Sequence, residues 1–363
     1  MLVSTHLFHL LRRLREDQSS EWILATVVTK FRSSYRQPGA MMLVHPDGQS
    51  LGLVSGGCLE ADIRLNARKV LAFSQPKCIL YDDTEEGSND ENIAAELGLG
   101  CNGRVEILVQ PLKDSQRGIL LQLLDRMEAG RDSYLLQCYQ SDSPDDLNAL
   151  ALLDEYAELI AKATDTNLPD IEGITAIDSH KVVLATNQNW SLNRHNHPIK
   201  LWVFGGGVDV QPLVRMAASL GWQVTIVDHR PAYGAETDFP LAADFVRRRP
   251  EEFTQEVDAD AALFMSHNLK LDAAWLAQVQ ESPSLRYIGL LGPVSRKQEV
   301  LELAEIDPSS AINEVLYGPM GFDIGGDIPE SVALSTLAEC HQVLFKQEPS
   351  RRKLFIEGKG RTT

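Results

Sequence analysis

The chain has 363 residues, a formal net charge of -17 at pH 7, 44% hydrophobic residues and 23% charged ones, the balance of an ordinary globular protein long enough for two or three domains. The acidic excess repels polyanions, and the short basic runs at 247–249 and 351–353 are too small to offset it, which excludes a sequence-independent grip on nucleic acid. No apolar run approaches the ~20 residues of a membrane span and no basic region precedes an apolar core, so the expectation is a cytoplasmic protein without a membrane or secretory segment.

In chain order, apolar residues at helical spacing predict a first helix in the N-terminal segment. WILATVVTK (22–30) is rich in β-branched residues and reads as a strand, and 40–57 reads as a hairpin turning at Asp47-Gly48. A helix from about Leu59 carries Ile63, Leu65, Ala67, Val70 and Leu71 at helical spacing. Six of the ten residues 82–91 are acidic, a solvated loop, after which Gly100-Cys101-Asn102-Gly103 leads into a strand over 104–112.

From 113 to 190 the signal weakens. We read a helix near 119–127, a strand near 133–139, an acidic helix within 145–163 and a strand at 180–187 as an extension of a first domain covering 1–190, with its core at about 22–112. The polar, aperiodic stretch ending at Pro198 predicts an interdomain linker at 191–198. A second domain over 199–345 alternates buried strands with helices, beginning with a strand, a glycine turn, a helix and a second strand that closes on Asp228. Residues 346–363 are a tail. The fold class is thus α/β: a mixed α+β N-terminal domain followed by a Rossmann-like, doubly wound parallel sheet with its function at the carboxyl ends of the strands.

Five cysteines, widely spaced and without a CxxC pair, exclude a disulfide framework and a structural zinc site. Cys78, Cys138 and Cys340 sit in apolar or periodic stretches and read as small buried hydrophobes. Cys58 differs: Gly56 and Gly57 free the backbone beside it, and it stands at the mouth of a helix, where a thiolate is favoured and backbone amides suit an anion. Cys101 shares the glycine setting without the helix. In the second domain Gly205 and Gly207 hold the first two positions of a G-x-G-x-x-G fingerprint, whose third position is Val210. Asp209 puts a negative charge where a phosphate would lie, and Asp228 is placed to bond ribose hydroxyls. The plain alternative is a fold that keeps the turn and binds no dinucleotide. Ser266, His267 and Asn268, then Gly292, Ser295 and Lys297, then Asp323, Gly325 and Gly326, put small and polar residues at further strand ends, the composition of a ligand crevice.

SSYRQPGAMMLV (33–44), SGGCLEAD (55–62), LGLGCNGRVEILVQPL (97–112), FGGGVDVQPLVRMAASLGWQVTIVDHRPAY (204–233) and GFDIGGDIPESVALSTLAE (321–339), in this order, resemble the XdhC/CoxI family. The resemblance covers about 22–112 and 199–344. It implies an accessory chaperone that binds molybdenum cofactor and protects it while a cysteine desulfurase helps install the terminal sulfido ligand. The chaperone then inserts the cofactor into an apo molybdenum hydroxylase of the xanthine, aldehyde or CO dehydrogenase class. Cys58 would contact molybdenum or its sulfido ligand, with Gly56, Gly57 and Glu60 beside it and Cys101 second. Gly205, Gly207, Asp228, His267 and Asp323 would line a nucleotide or pterin crevice, and a homodimer is expected. Asn102 departs from the family's Gly-Cys-Gly-Gly turn, and Gly292-Pro293-Val294-Ser295-Arg296-Lys297 from its Gly-Ser-Arg-Arg-Lys-like loop. Two enzymatic alternatives stand beside the chaperone: an NAD(P)-dependent oxidoreductase using Cys58 or His267, and a sulfurtransferase carrying a persulfide on Cys58.

Overall fold

The computed structural model describes residues 6–17, 21–32, 35–82, 103–170, 180–185, 187–231, 233–254, 257–307 and 309–345, and the chain divides into two compact units, Met1–Pro198 and Ile199–Thr363.

Unit 1 contains two antiparallel sheets. The first runs β3-β2-β1-β5-β4, with β1 at Ile23–Phe31, β2 at Met41–Val44, β3 at Ser50–Gly52, β4 at Lys77–Asp82 and β5 at Arg104–Pro111. Helix α1 (Leu7–Glu16) precedes it, and α2 (Glu60–Phe73) buries Ile63, Ala67 and Val70 in one cluster with Ile79, Tyr81, Ile107 and Val109 of the sheet. Helix α3 (Asp114–Glu128) joins α1 in a second cluster, where Leu11, Leu14, Leu120 and Leu124 are buried with Leu24 and Leu43. Burying both faces of β1 removes the in/out alternation a half-buried strand would show.

The second sheet runs β8-β7-β6-β10-β9, with β6 at Ser133–Ser141, β7 at Leu150–Leu153, β8 at Leu159–Lys162, β9 at His180–Ala185 and β10 at Gln188–His195. Two sequence expectations fail here. The acidic helix expected within 145–163 is a short 3-10 turn (Pro144–Asn148) followed by β7 and β8. All four residues of β7 are buried, so its apolar run lacks alternation and reads equally well as helix, while Asp154 forms the turn by accepting from the N–H groups of Tyr156 and Glu158 at 2.9 and 2.8 Å. The linker expected at 191–198 is, through His195, part of β10, paired with both β6 and β9. Two of its polar residues are buried and satisfied internally: Ser191 donates to the Val28 carbonyl at 2.7 Å, and the Asn193 amide donates to Ser191 Oγ at 2.9 Å. The unit boundary follows at Pro198.

Unit 2 is a six-stranded, wholly parallel sheet of order β13-β12-β11-β14-β15-β16, with β11 at Lys200–Phe204, β12 at Gln223–Val227, β13 at Asp244–Val246, β14 at Ala261–Phe264, β15 at Tyr287–Leu290 and β16 at Leu316–Tyr317. Helices α4 (Gln211–Ser219) and α8 (Pro329–Phe345) contribute Leu213, Ala217, Leu337 and Cys340 to one core. Helices α5 (Leu269–Val279) and α6 (Val294–Leu303) contribute Trp275, Leu276 and Val300 to the other, and α7 (Ile312–Val315) leads into β16. Helices on both faces and strand order 3-2-1-4-5-6 make this the doubly wound fold expected, with the order reversing between β11 and β14. Function in such sheets gathers outside that reversal.

Candidate functional site

The Cys58 loop joins β3 to α2, and its geometry is organised by one hydroxyl. Ser55, 5% exposed, donates from Oγ to Oε2 of Glu60 at 2.5 Å, and its backbone N–H donates to Oε1 at 2.8 Å. The same oxygen accepts from the N–H groups of Gly57 and Leu59, both at 3.1 Å, and from the Cys58 thiol at 3.6 Å. Ser55 therefore satisfies orphan amides at the start of α2, as an N-cap does, and sets the thiol's position at the same time. Gly57 has φ +115 with open space where a side chain would be, so glycine is there for the backbone; Gly56 lies under Tyr35, whose ring would be 3.4 Å from a Cβ. Cys58 is partly exposed and packs on the cluster beneath α2.

Glu60, expected beside the cargo, is 4% exposed and spends both oxygens on Ser55. It is a buried brace. The amides expected to hold an anion are likewise turned inward at Ser55, Gly57 and Leu59, leaving the thiol as the soft donor of the loop. Cys138 and Cys340 are buried, as expected, whereas Cys78 is only partly buried at the edge of a cluster; desolvation pushes Cys78 and Cys138 up to about 12 and raises Cys340 as well. Cys101 and Asn102 lie outside the described residues. Among the described residues no group of three or more His, Cys, Asp or Glu side chains is placed to hold a metal ion.

In unit 2, Gly205, Gly206 and Gly207 follow β11, and Ser266 and His267 follow β14, so the topology brings both loops to the sheet's carboxyl edge. His267 adopts φ +56, a left-handed backbone uncommon outside glycine, and its Nε2 lies 2.8 Å from Oδ2 of Asp209. Asp228 is 3% exposed and paired with Arg230. Burial works to raise its carboxyl, but hydrogen bonds from Arg230 and the Gly206 amide outweigh it and hold the group below the ordinary carboxylate range. Asp323 stands exposed in the loop before α8, where Gly325 and Gly326 have φ +76 and +89. Sequence reasoning missed Ser55, Arg230 and the pair of Asp272, 1% exposed, with Arg296 at 2.7 Å. A signal existed for Arg230, two residues beyond an acid at a strand end. None existed for Asp272 and Arg296, which only the packing of α5 against α6 brings together.

No helix among the described residues is long and apolar enough to cross a membrane. Two family profiles match the chain: the XdhC and CoxI family over residues 16–82, which includes the Cys58 loop, and the XdhC Rossmann domain over 201–340, which includes the carboxyl edge of unit 2. A Bacillus subtilis (strain 168) protein named as a probable subunit of xanthine dehydrogenase is 30% identical over 339 residues, 92% of this chain and 97% of the relative. The molybdenum cofactor insertion chaperone PaoD of Escherichia coli (strain K12) is 24% identical over 332 residues, 90% of this chain and 84% of its own. A crystal structure described as a xanthine dehydrogenase from Bacillus halodurans superposes with a TM-score of 0.74 at 26% identity, covering 93% of this chain and 96% of that one. Likeness along nearly the full length of both chains, with the thiol loop inside one matched span and the parallel sheet inside the other, places this chain in the XdhC and CoxI family.

Proposed function

We propose that the chain is an accessory protein of a molybdenum hydroxylase, carrying molybdenum cofactor as cargo and inserting it into an apoenzyme of the xanthine, aldehyde or CO dehydrogenase class. Its relatives' names support an accessory role and a cofactor of that kind. One structural observation carries the reading to a residue: within the span matched to the family, Cys58 is a partly exposed thiol pinned by a buried serine and glutamate. A soft sulfur donor suits molybdenum or its sulfido ligand. Cys58 is the proposed contact, Ser55 and Glu60 position it, and Gly56 and Gly57 let a large ligand approach. The thiol also suits cargo held while a cysteine desulfurase supplies sulfur. We assign the chain to the cytoplasm, working as a homodimer with its desulfurase and hydroxylase partners.

The test measures molybdenum and pterin retained per chain after gel filtration, for wild type and Cys58→Ala. Retention by wild type and its loss in a variant that melts at the same temperature is the expected result. Equal retention by both removes Cys58 from the site, and retention by neither rejects the carrier reading. The same thiol supports a second reading, a sulfurtransferase in which Cys58 carries a persulfide. Mass spectrometry after incubation with a desulfurase and cysteine separates the two: a persulfide on Cys58 that passes to an acceptor supports the transferase, and an unmodified thiol supports the carrier.

A further inference from the structure

The glycine turn after β11 is the feature that would seat the pyrophosphate of a dinucleotide, and Asp228 the one that would take its ribose. The protein itself fills both places. Gly205 turns at φ +131, and a Cβ there would lie 2.5 Å from the Met265 carbonyl oxygen, so this glycine serves the junction with β14. A Cβ on Gly206 would lie 2.7 Å from Cα of Gly234, so the loop beyond β12 rests backbone on backbone against the middle of the turn. Gly207, where a missing side chain would admit a phosphate, is approached by the carboxylate of Asp209, which pairs with His267 at 2.8 Å.

The ribose seat is filled in the same way. Oδ2 of Asp228 accepts from the Gly206 N–H at 2.9 Å and from Nη2 of Arg230 at 2.7 Å, while Oδ1 accepts from the backbone N–H and Nε of Arg230, both at 2.9 Å. Arg230 also donates from Nη1 to the Ser266 carbonyl at 3.2 Å and lies 4.0 Å over the Tyr233 ring. Arg247 ties the loop down by donating to the carbonyls of Asp228, Tyr233 and Gly234. Beyond β14 the pattern repeats: Asp272 accepts from the hydroxyl of Ser266 and from Nη2 of Arg296. Two buried aspartates, each closed by an arginine, thus flank the point where strand order reverses.

We infer that this crevice does not take a dinucleotide, and that Arg230, Tyr233 and Gly234 are its permanent occupants. A ribose diol would have to displace a two-pronged, charge-assisted pair from a carboxylate shielded from water, and a pyrophosphate would have to displace Asp209 and meet its charge. The glycines are there for backbone-to-backbone contact within the protein. Unit 2 then works as a rigid scaffold that fixes the loops at its carboxyl edge. This inference is independent of the cargo reading, and it argues against the NAD(P)-dependent oxidoreductase.

The experiment titrates the purified full chain with NAD+, NADP+ and ADP, followed by calorimetry and thermal shift. Wild type is expected to show neither heat nor stabilisation with any of the three. Asp228→Asn is expected to lower the melting temperature by about 10 °C, because it breaks a buried pair and strands Arg230. In a nucleotide site the same change would cost ligand affinity and leave the fold alone. Binding by wild type that Asp228→Asn weakens about tenfold or more, at an unchanged melting temperature, would overturn the inference. Should Asp228→Asn fail to fold, Asp209→Asn decides: it removes the charge that opposes a phosphate, so dinucleotide binding gained in that variant refutes the lock and continued absence of binding supports it.

Discussion

Ser55 shows how much one small side chain can organise. Its hydroxyl donates once, to Glu60, and accepts from two backbone amides and the Cys58 thiol, so its loss strands four groups together. Leaving buried groups unsatisfied costs about 1–3 kcal/mol each in the worst case, and water reaching a partly exposed loop recovers part of that. Ser55→Ala is therefore expected to destabilise the chain by about 2–3 kcal/mol in urea unfolding, while Ser55→Thr, which keeps the hydroxyl, recovers most of the loss. Equal stability of wild type and Ser55→Ala would mean the loop is held by other contacts. The cysteine and its glycines were legible in the sequence because each has an unusual neighbour. The roles of Ser55 and Glu60 were not, because nothing in an S-x-x-x-x-E spacing says that both ends are buried and face each other.

At the scale of elements, β10 is the instructive case. Five residues of the expected linker, 191–195, lie in an interior strand, where Ser191 donates to the Val28 carbonyl and Asn193 to Ser191. One buried residue of that strand has a pH consequence. Burial lowers His195 from 6.5 to about 4; burial, with His9 and Arg36 adding to it, does the same to His6. An unfolded chain takes protons at these two sites near 6.5 and the folded chain does not until about 4, so stability falls as pH drops through that window. Asp132 acts in the same direction lower down. Burial works to raise it, hydrogen bonds from His197 and Arg194 outweigh that and hold it below the carboxylate range, and this stabilisation is lost as acid protonates the group. The urea midpoint is expected to fall between about pH 7 and about pH 5, and His195→Phe to reduce that fall; a flat profile in wild type would contradict it.

At the scale of the whole molecule, unit 2 has hydrophobic clusters on both faces of its sheet, built from its own residues. A fragment covering 199–345 is therefore expected to fold alone and melt cooperatively, checked by far-UV circular dichroism; a fragment without a thermal transition would show that its core is incomplete. The sequence by itself determined the parallel doubly wound sheet, the thiol in its glycine turn and the family, because buried parallel strands, glycine punctuation and short motifs are local patterns. Tertiary structure alone decided which polar residues are spent inside the protein. The second antiparallel sheet, the inward turn of Glu60 and the closure of Asp228 by Arg230 depend on partners that meet only on folding, and a polar side chain reads the same in sequence whether it will face a ligand, water or its own chain.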